Sequence, residues 1–342
     1  MMNPLRAWNA FWFRPVSARP LGAFRIAYGL VVLVHLALLA PEVDFWLSDA
    51  GLLRGTEARE LAGPWRPSPL QHWQSPPVIH AVFGATAVVT VLLIAGWRTR
   101  VMSALLYAGL LAMHHRNLAS CSGADILLVV LAFHLMLSPS GAAYSLDARR
   151  AARRRGTEAE PLILPWSLRL IQLQVTLLYF MSAVHKAGGK SWLEGSALYY
   201  ILSIGEVRRF TFGLTAYPLL LNALAHGAVV TEFGLAFGLW SRAARPWAIL
   251  AGVALHVGIM ATINIPVFGE LMIASYLAFL TPDQLDALLR PFARRAGVAA
   301  RRAGIRFDPP DAPRGPHRPA EAAVRQLTLG FLDGEDRVAR DA

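Results

Sequence analysis

Lys186 and Lys190 are the two lysines of this chain; every other cation of that class is an arginine. Both fall in His185-Lys-Ala-Gly-Gly-Lys-Ser-Trp-Leu-Glu194. Arginine stays protonated, whereas a lysine in an apolar site can give up its proton and act as a base. Lys186 closes a long apolar run and is the position where that chemistry is expected. Lys190 lies beyond the run and reads as solvated. Gln172, Tyr179, Ser182 and Lys186 are spaced 7, 3 and 4 apart, which places them in one polar stripe on a helix. His256, Met260 and Asn264 repeat every four residues, and Arg25, Tyr28 and His35 share a face of an earlier segment. The three stripes predict a polar cavity with Lys186 as base, His256 orienting a substrate or stabilising developing charge, and Tyr179, Ser182 and Asn264 lining it. Polar residues that merely tie helices together are the competing reading, as is a snorkelling Lys186.

Other ionisable groups stand in apolar runs: Arg25, His35, Asp125, His134, His226, Glu232 and Glu270. Each costs about 3 kcal/mol in mid-membrane and needs a partner or a cavity. Glu232 would pair with an internal cation such as Arg25. Asp125 follows Ser122-Gly-Ala and reads as an N-terminal cap. His114 and His115 are adjacent and point about 100° apart on a helix, and one cysteine, Cys121, offers no Cys-based site. No metal is expected.

The elements that carry these residues follow from composition. The chain is 55% hydrophobic and 16% charged, against about 25% charged in soluble proteins. The fold class is therefore all-α, a polytopic transmembrane bundle of about eight spans, near 20–40, 77–96, 101–117, 124–138, 166–186, 217–240, 246–263 and 265–281. The run from Pro20 to Ala40 is too long for a signal peptide and reads as a retained span. Residues 1–19, 97–100, 139–165 and 241–245 carry 12 arginines, while 41–76, 118–123, 187–216 and 264 carry six Lys or Arg. Both ends are thus expected in the cytoplasm, and the expected location is a bacterial inner membrane. The arginines flank the spans, so the net charge of +11 points to anionic lipid, not to nucleic acid. The expected organisation is a cytoplasmic segment 1–19, a transmembrane domain 20–285 and an Arg- and Pro-rich tail 286–342, flexible except for a short amphipathic helix at 320–332. Trp46, Trp65 and Trp73 of the long outer loop suit an interfacial belt. No sequence repeat is found.

Several stretches together resemble the HTTM family, the membrane domain shared by vitamin K-dependent gamma-carboxylases and many bacterial proteins. They are Arg14-Pro-Val-Ser with Leu21-Gly-Ala-Phe-Arg-Ile-Ala-Tyr-Gly29, Phe45-Trp-Leu-Ser-Asp-Ala-Gly-Leu-Leu53, Arg116-Asn117, and Gly123-Ala-Asp-Ile-Leu127. They continue through Ser138-Pro-Ser-Gly141 and Tyr144-Ser-Leu-Asp147. Tyr179-Phe through His185-Lys186 to Trp192-Leu-Glu-Gly195 and Ala197-Leu-Tyr-Tyr200 follow, then Ala254-Leu-His-Val-Gly258. The resemblance implies that Lys186 matches the base that deprotonates reduced vitamin K on the extracytoplasmic side. It places His256 in the same region, with His185 beside the base and Arg25 among the ligand-binding residues. The cofactor it implies is a reduced quinone. The carboxylases' large lumenal substrate domain has no counterpart here, and no histidine near Ser122–Ala124 matches the family's other site histidine. Protein gamma-carboxylation is therefore not expected. Two readings stand: a carboxylase-like enzyme (lyase or oxidoreductase chemistry) acting on a quinol or other lipid-soluble substrate, or a non-enzymatic accessory, export or immunity protein that keeps the fold. The expected partners are the lipid bilayer, a lipid-soluble quinol, and a membrane or peptide partner.

Overall fold

A computed structural model describes residues 3–156, 160–210 and 212–291. The chain is helical as the apolar runs demand. In order come α1 (Pro4–Phe13), α2 (Arg19–Leu39), α3 (Val43–Leu47), α4 (Gly55–Ala62), α5 (Pro76–Ala95), α6 (Thr99–Arg116) and α7 (Gly123–Met136). Then follow α8 (Leu146–Arg155), α9 (Trp166–Ala187), α10 (Lys190–Leu193), α11 (Ala197–Ser203), α12 (Pro218–Gly238), α13 (Arg245–Thr262) and α14 (Phe268–Ser275), which runs on as a 3₁₀ turn over Tyr276–Phe279. Residues 282–291 are helical. The expected tail helix at 320–332 lies outside the described residues, as does most of the expected flexible tail.

Each of the eight expected spans coincides with a helix: α2, α5, α6, α7, α9, α12, α13 and α14 with its 3₁₀ extension. Among the described residues five of them, α2 with α3, α5, α9, α12 and α13, are long and apolar enough to cross a membrane by that measure alone, and α7 and Phe268–Phe279 are shorter apolar helices. Proline in the first turn starts α1, α2, α5, α12 and α13, where its missing N–H costs nothing. Ser122 accepts from the Ala124 N–H at 3.2 Å, and the Ser122 N–H donates to Asp125 Oδ2 at 2.6 Å. That capping box starts α7 and confirms the expected cap.

The bundle is a chain of neighbours: α7 packs on α6, α6 on α5, α5 on α2, α2 on α14 and its 3₁₀ turn, α14 on α13, α13 on α12, α12 on α9, and α9 on α7. Two stripes of α2 show how a membrane bundle differs from a soluble one. Leu21, Phe24, Tyr28, Val32 and Leu36 are buried, whereas Leu30, Val34 and Leu38, four apart, are about half exposed. An apolar outer stripe is what lipid requires. One two-residue ladder, Val16–Ser17 against Leu162–Ile163, joins the segments that lead into α2 and α9.

The outer segment between α2 and α5 folds into α3, α4 and a 3₁₀ turn at Pro69–Gln71. It is fastened from below. The fully buried Arg116 donates through Nη2 to the carbonyls of Ser48 at 3.1 Å and Leu53 at 2.6 Å. Asn117 Nδ2 donates to the Trp46 carbonyl at 2.9 Å.

Candidate functional site

Lys186 sits near the C-terminal end of α9, and its ammonium pairs with Glu232 Oε1 from α12. It also lies over the Trp192 ring, 5.0 Å from the centroid, a cation–π contact. Two hydrogen bonds hold the intervening loop against α12. Asn222 Nδ2 donates to the Glu194 carbonyl at 2.9 Å, and His226 Nε2 reaches the Leu193 carbonyl at 3.1 Å. Glu232 Oε2 is buried and has no hydrogen-bond partner.

Beside this pair runs a second polar chain. Tyr179 from α9 places its hydroxyl 2.7 Å from His256 Nε2 on α13 and 2.5 Å from the Tyr276 hydroxyl. All three side chains are buried, and His256 Nδ1 has no partner. If Tyr276 donates to Tyr179 and Tyr179 to His256 Nε2, then Nδ1 carries the free proton. Reversing every bond leaves Nδ1 as an acceptor. The two arrangements differ by one proton moved along the row. Lys186 and His256 lie within electrostatic reach of each other, as do Glu232 and Tyr179. Gly252 makes the row possible, since a Cβ there would overlap the Tyr276 hydroxyl and Leu235.

The residues expected at this site therefore divide. Lys186, His256 and Tyr179 come together, and Ser182 is half-buried one turn before Lys186 on the same face. His185 is exposed. Asn264 is exposed too: its backbone N–H donates to Val207 O at 2.6 Å and its Oδ1 accepts from Arg209 at 3.4 Å. Gln172 ties α9 to the last span by donating to the Ala278 carbonyl at 2.7 Å.

Arg25 is placed elsewhere. It is fully buried and donates to the carbonyls of Ser140 at 2.7 Å, Ala143 at 3.2 Å, Tyr144 at 2.6 Å and Ile94 at 3.4 Å. These carbonyls belong to the end of α5 and the turn before α8, so Arg25 is a clamp there and not the partner of Glu232. Glu232 and Tyr276 are the functional candidates the spacing argument missed. Glu232 stood among the mid-span charges but was matched with the wrong cation. Tyr276 begins a 3₁₀ turn, where a 3.6-residue period does not apply.

A mostly apolar crevice of about 430 Å³ lies farther toward the start of α9, lined by residues that include His134, Leu173, Thr176, Leu177, Phe180 and Phe237 and by none of the five residues of the pair and the row. The crevice bears on α7, α9 and α12.

Residues 13–284 match the HTTM domain family. A relative, the "Sporulation-delaying protein SdpB" of Bacillus subtilis (strain 168), is 26% identical over 212 residues, covering 57% of this chain and 62% of its own length. The chain thus spans under two thirds of that relative. No solved structure matches. The helices, their apolar outer faces and the match across most of the sequence agree: the chain is a multi-pass membrane protein and belongs to the HTTM family.

Proposed function

We propose that the Lys186–Glu232 pair with the His256–Tyr179–Tyr276 row is a membrane-embedded acid–base centre, carboxylase-like in its use of a lysine base, that acts on a quinol or another lipid-soluble hydroxyl compound. The observation that carries this reading is the pair of partnerless buried atoms, Glu232 Oε2 and His256 Nδ1. Buried polar atoms are nearly always satisfied, so two of them beside one ion pair fit a polar ligand. The donor set suits the hydroxyl of a reduced quinone, with Glu232 Oε2 and His256 Nδ1 holding it. When bound, such a group would supply an acidic hydroxyl and reducing equivalents. The chain supplies proton handling. Passing one proton from Lys186 Nζ to Glu232 leaves two neutral groups, a change that an apolar medium eases because isolated charge is costly there. The free amine is then the base: it takes the hydroxyl proton and becomes an ammonium again beside neutral Glu232, while His256, its Nε2 accepting from Tyr179, would donate from Nδ1 to the oxygen left charged. The arginine asymmetry supports a position for this centre toward the extracytoplasmic side of a bacterial inner membrane.

The test is direct. Purified protein would be extracted with organic solvent and searched for quinones by mass spectrometry, then supplied with a reduced naphthoquinone while oxygen uptake is followed. A bound quinone, with turnover lost in Lys186→Met and Glu232→Gln, is the expected result. Turnover no greater than that of Lys186→Met overturns the reading. A second reading keeps the pair as a bolt between α9 and α12 in a non-enzymatic accessory protein. The relative bearing the name of a sporulation-delaying protein favours it, and so does the fact that Lys186 already has a partner.

A further inference from the structure

On the other side of the bundle, three different helices bring His35 (α2), His114 (α6) and Asp125 (α7) together, with one ligand atom from each all within 4.8 Å of one another. Asp125 Oδ1 lies 3.4 Å from His114 Nε2 and 3.7 Å from His35 Nδ1, and these side chains are 12–15% exposed. The two imidazole rings stand 5.6 Å apart and 32° from parallel.

The protonation of this cluster is constrained by its neighbours. His114 Nδ1 faces the Leu110 carbonyl at 2.8 Å. A carbonyl only accepts, so Nδ1 carries the hydrogen and Nε2 of a neutral ring is a lone pair. Asp125 Oδ2 is engaged by the Ser122 N–H, which leaves Oδ1 free. The free lone pair of His114 therefore points at the free lone pairs of a carboxylate. Two acceptors face each other, and a cation must lie between them. Either a proton lies there, on His114 Nε2 or on Asp125 Oδ1, or a metal ion occupies the centre.

The distances discriminate. Zn²⁺ bonds nitrogen and oxygen at about 2.0–2.2 Å in tetrahedral sites, which sets neighbouring ligand atoms about 3.3–3.5 Å apart. An imidazolium–carboxylate hydrogen bond would close to about 2.8 Å. The observed 3.4 and 3.7 Å are close to the first value and longer than the second, and the three candidate ligand atoms all lie within 4.8 Å of one another. The Leu110 carbonyl that accepts from His114 Nδ1 also matches the way metal-bound histidines are oriented.

We propose that His35, His114 and Asp125 bind one divalent transition-metal ion, zinc foremost, with the fourth position open to water. The ion ties α2, α6 and α7 together at the end of the bundle that carries the outer segment. The site is distinct from the Lys186 centre, with which it shares no ligand. Two histidines and a carboxylate from three helices escape a motif search because no fixed spacing links them. The adjacent His115 is not part of the cluster: its Nδ1 faces the Pro67 carbonyl at 3.2 Å.

The experiment uses tag-free full-length protein in detergent. It is dialysed against ZnSO4, then against metal-free buffer, and assayed by inductively coupled plasma mass spectrometry. About one zinc per chain is expected, with more than tenfold weaker retention in His35→Gln and His114→Gln. His80→Gln, an exposed histidine beside Asp44, should bind as wild type. Titration of wild type with CoCl2 should give the intense visible absorption of four-coordinate cobalt, a readout that needs no variant. Absence of both zinc and the cobalt band in folded wild-type protein overturns the proposal and leaves a proton between His114 and Asp125. Equal zinc in the His35→Gln/His114→Gln double variant overturns it as well.

Discussion

Lys186 on α9 and Glu232 on α12 form an ion pair across two neighbouring helices, 46 positions apart in sequence. Both groups are withdrawn from water, Glu232 more than Lys186, and each is the other's counter-charge. Removing one partner of a buried pair leaves an uncompensated charge and costs about 3 kcal/mol, whereas replacing both by apolar residues is often close to neutral. Lys186→Met and Glu232→Leu should each lower thermal stability in detergent, and the double variant should recover most of the loss. Additive losses would show that the two side chains do not interact. The helix pair would then be held by its apolar contacts, such as Phe180 against Phe233 and Phe237.

The same pair separates the enzymatic from the structural reading. Arginine keeps charge and can reach Glu232, but it cannot become a neutral base. Lys186→Arg should therefore retain stability near wild type and lose the quinol turnover proposed above. Lys190→Arg is the control: Lys190 is 88% exposed and contacts Glu194 at 3.8 Å, so it should be silent. An active Lys186→Arg protein ends the lysine-base reading while leaving the ion pair intact.

What the sequence shows of this protein depends on the range of the interaction. Apolar length alone locates eight helices, five of them long and apolar enough to cross a membrane, and the Ser122–Asp125 cap is readable because it is local. The stripe from Gln172 to Lys186 is a real face of α9, since Gln172, Tyr179 and Lys186 all point inward to partners. Partners across helices were not readable. Period gives a face but no depth or neighbour, so Arg25 was matched to Glu232 when its four carbonyls lie elsewhere. Asn264 illustrates the other limit. It continues the four-residue repeat of α13, yet that helix ends at Thr262 and the repeat has no meaning beyond it.

The tyrosine row rests on the missing side chain at Gly252. Gly252→Ala should push Tyr276 away from Tyr179 and cost about 1–3 kcal/mol through overpacking. Tyr276→Phe removes one hydrogen bond from the row without crowding and should cost about 1 kcal/mol. Thermal unfolding of both variants measures the difference. A Gly252→Ala protein as stable as wild type would mean that α13 and Tyr276 do not approach as closely as described.

Asp147 offers a test by pH, at a point outside the spans. Its Oδ2 accepts from the Thr99 N–H and hydroxyl, each at 2.7 Å, and its Oδ1 from the Arg98 N–H at 3.0 Å, so it caps α6 from the first turn of α8. Burial works to raise its pKa, but the Thr99 and Arg98 hydrogen bonds and the nearby charge of Arg150 outweigh it, leaving the carboxyl below its ordinary value. A depressed folded pKa adds stability above the unfolded value of about 3.9, and that stability is lost as pH falls through the folded value. Asp147→Asn should therefore be less stable than wild type at pH 7, by about 1 kcal/mol for a capping interaction. The gap should narrow as pH drops below about 4, where the unfolded chain begins to take up the proton, and close once the pH passes below the folded value and native Asp147 is protonated too. Unfolding midpoints of the two proteins between pH 3 and pH 7 decide the matter. A gap that stays constant across that range would show that the carboxylate charge is not what holds the start of α6.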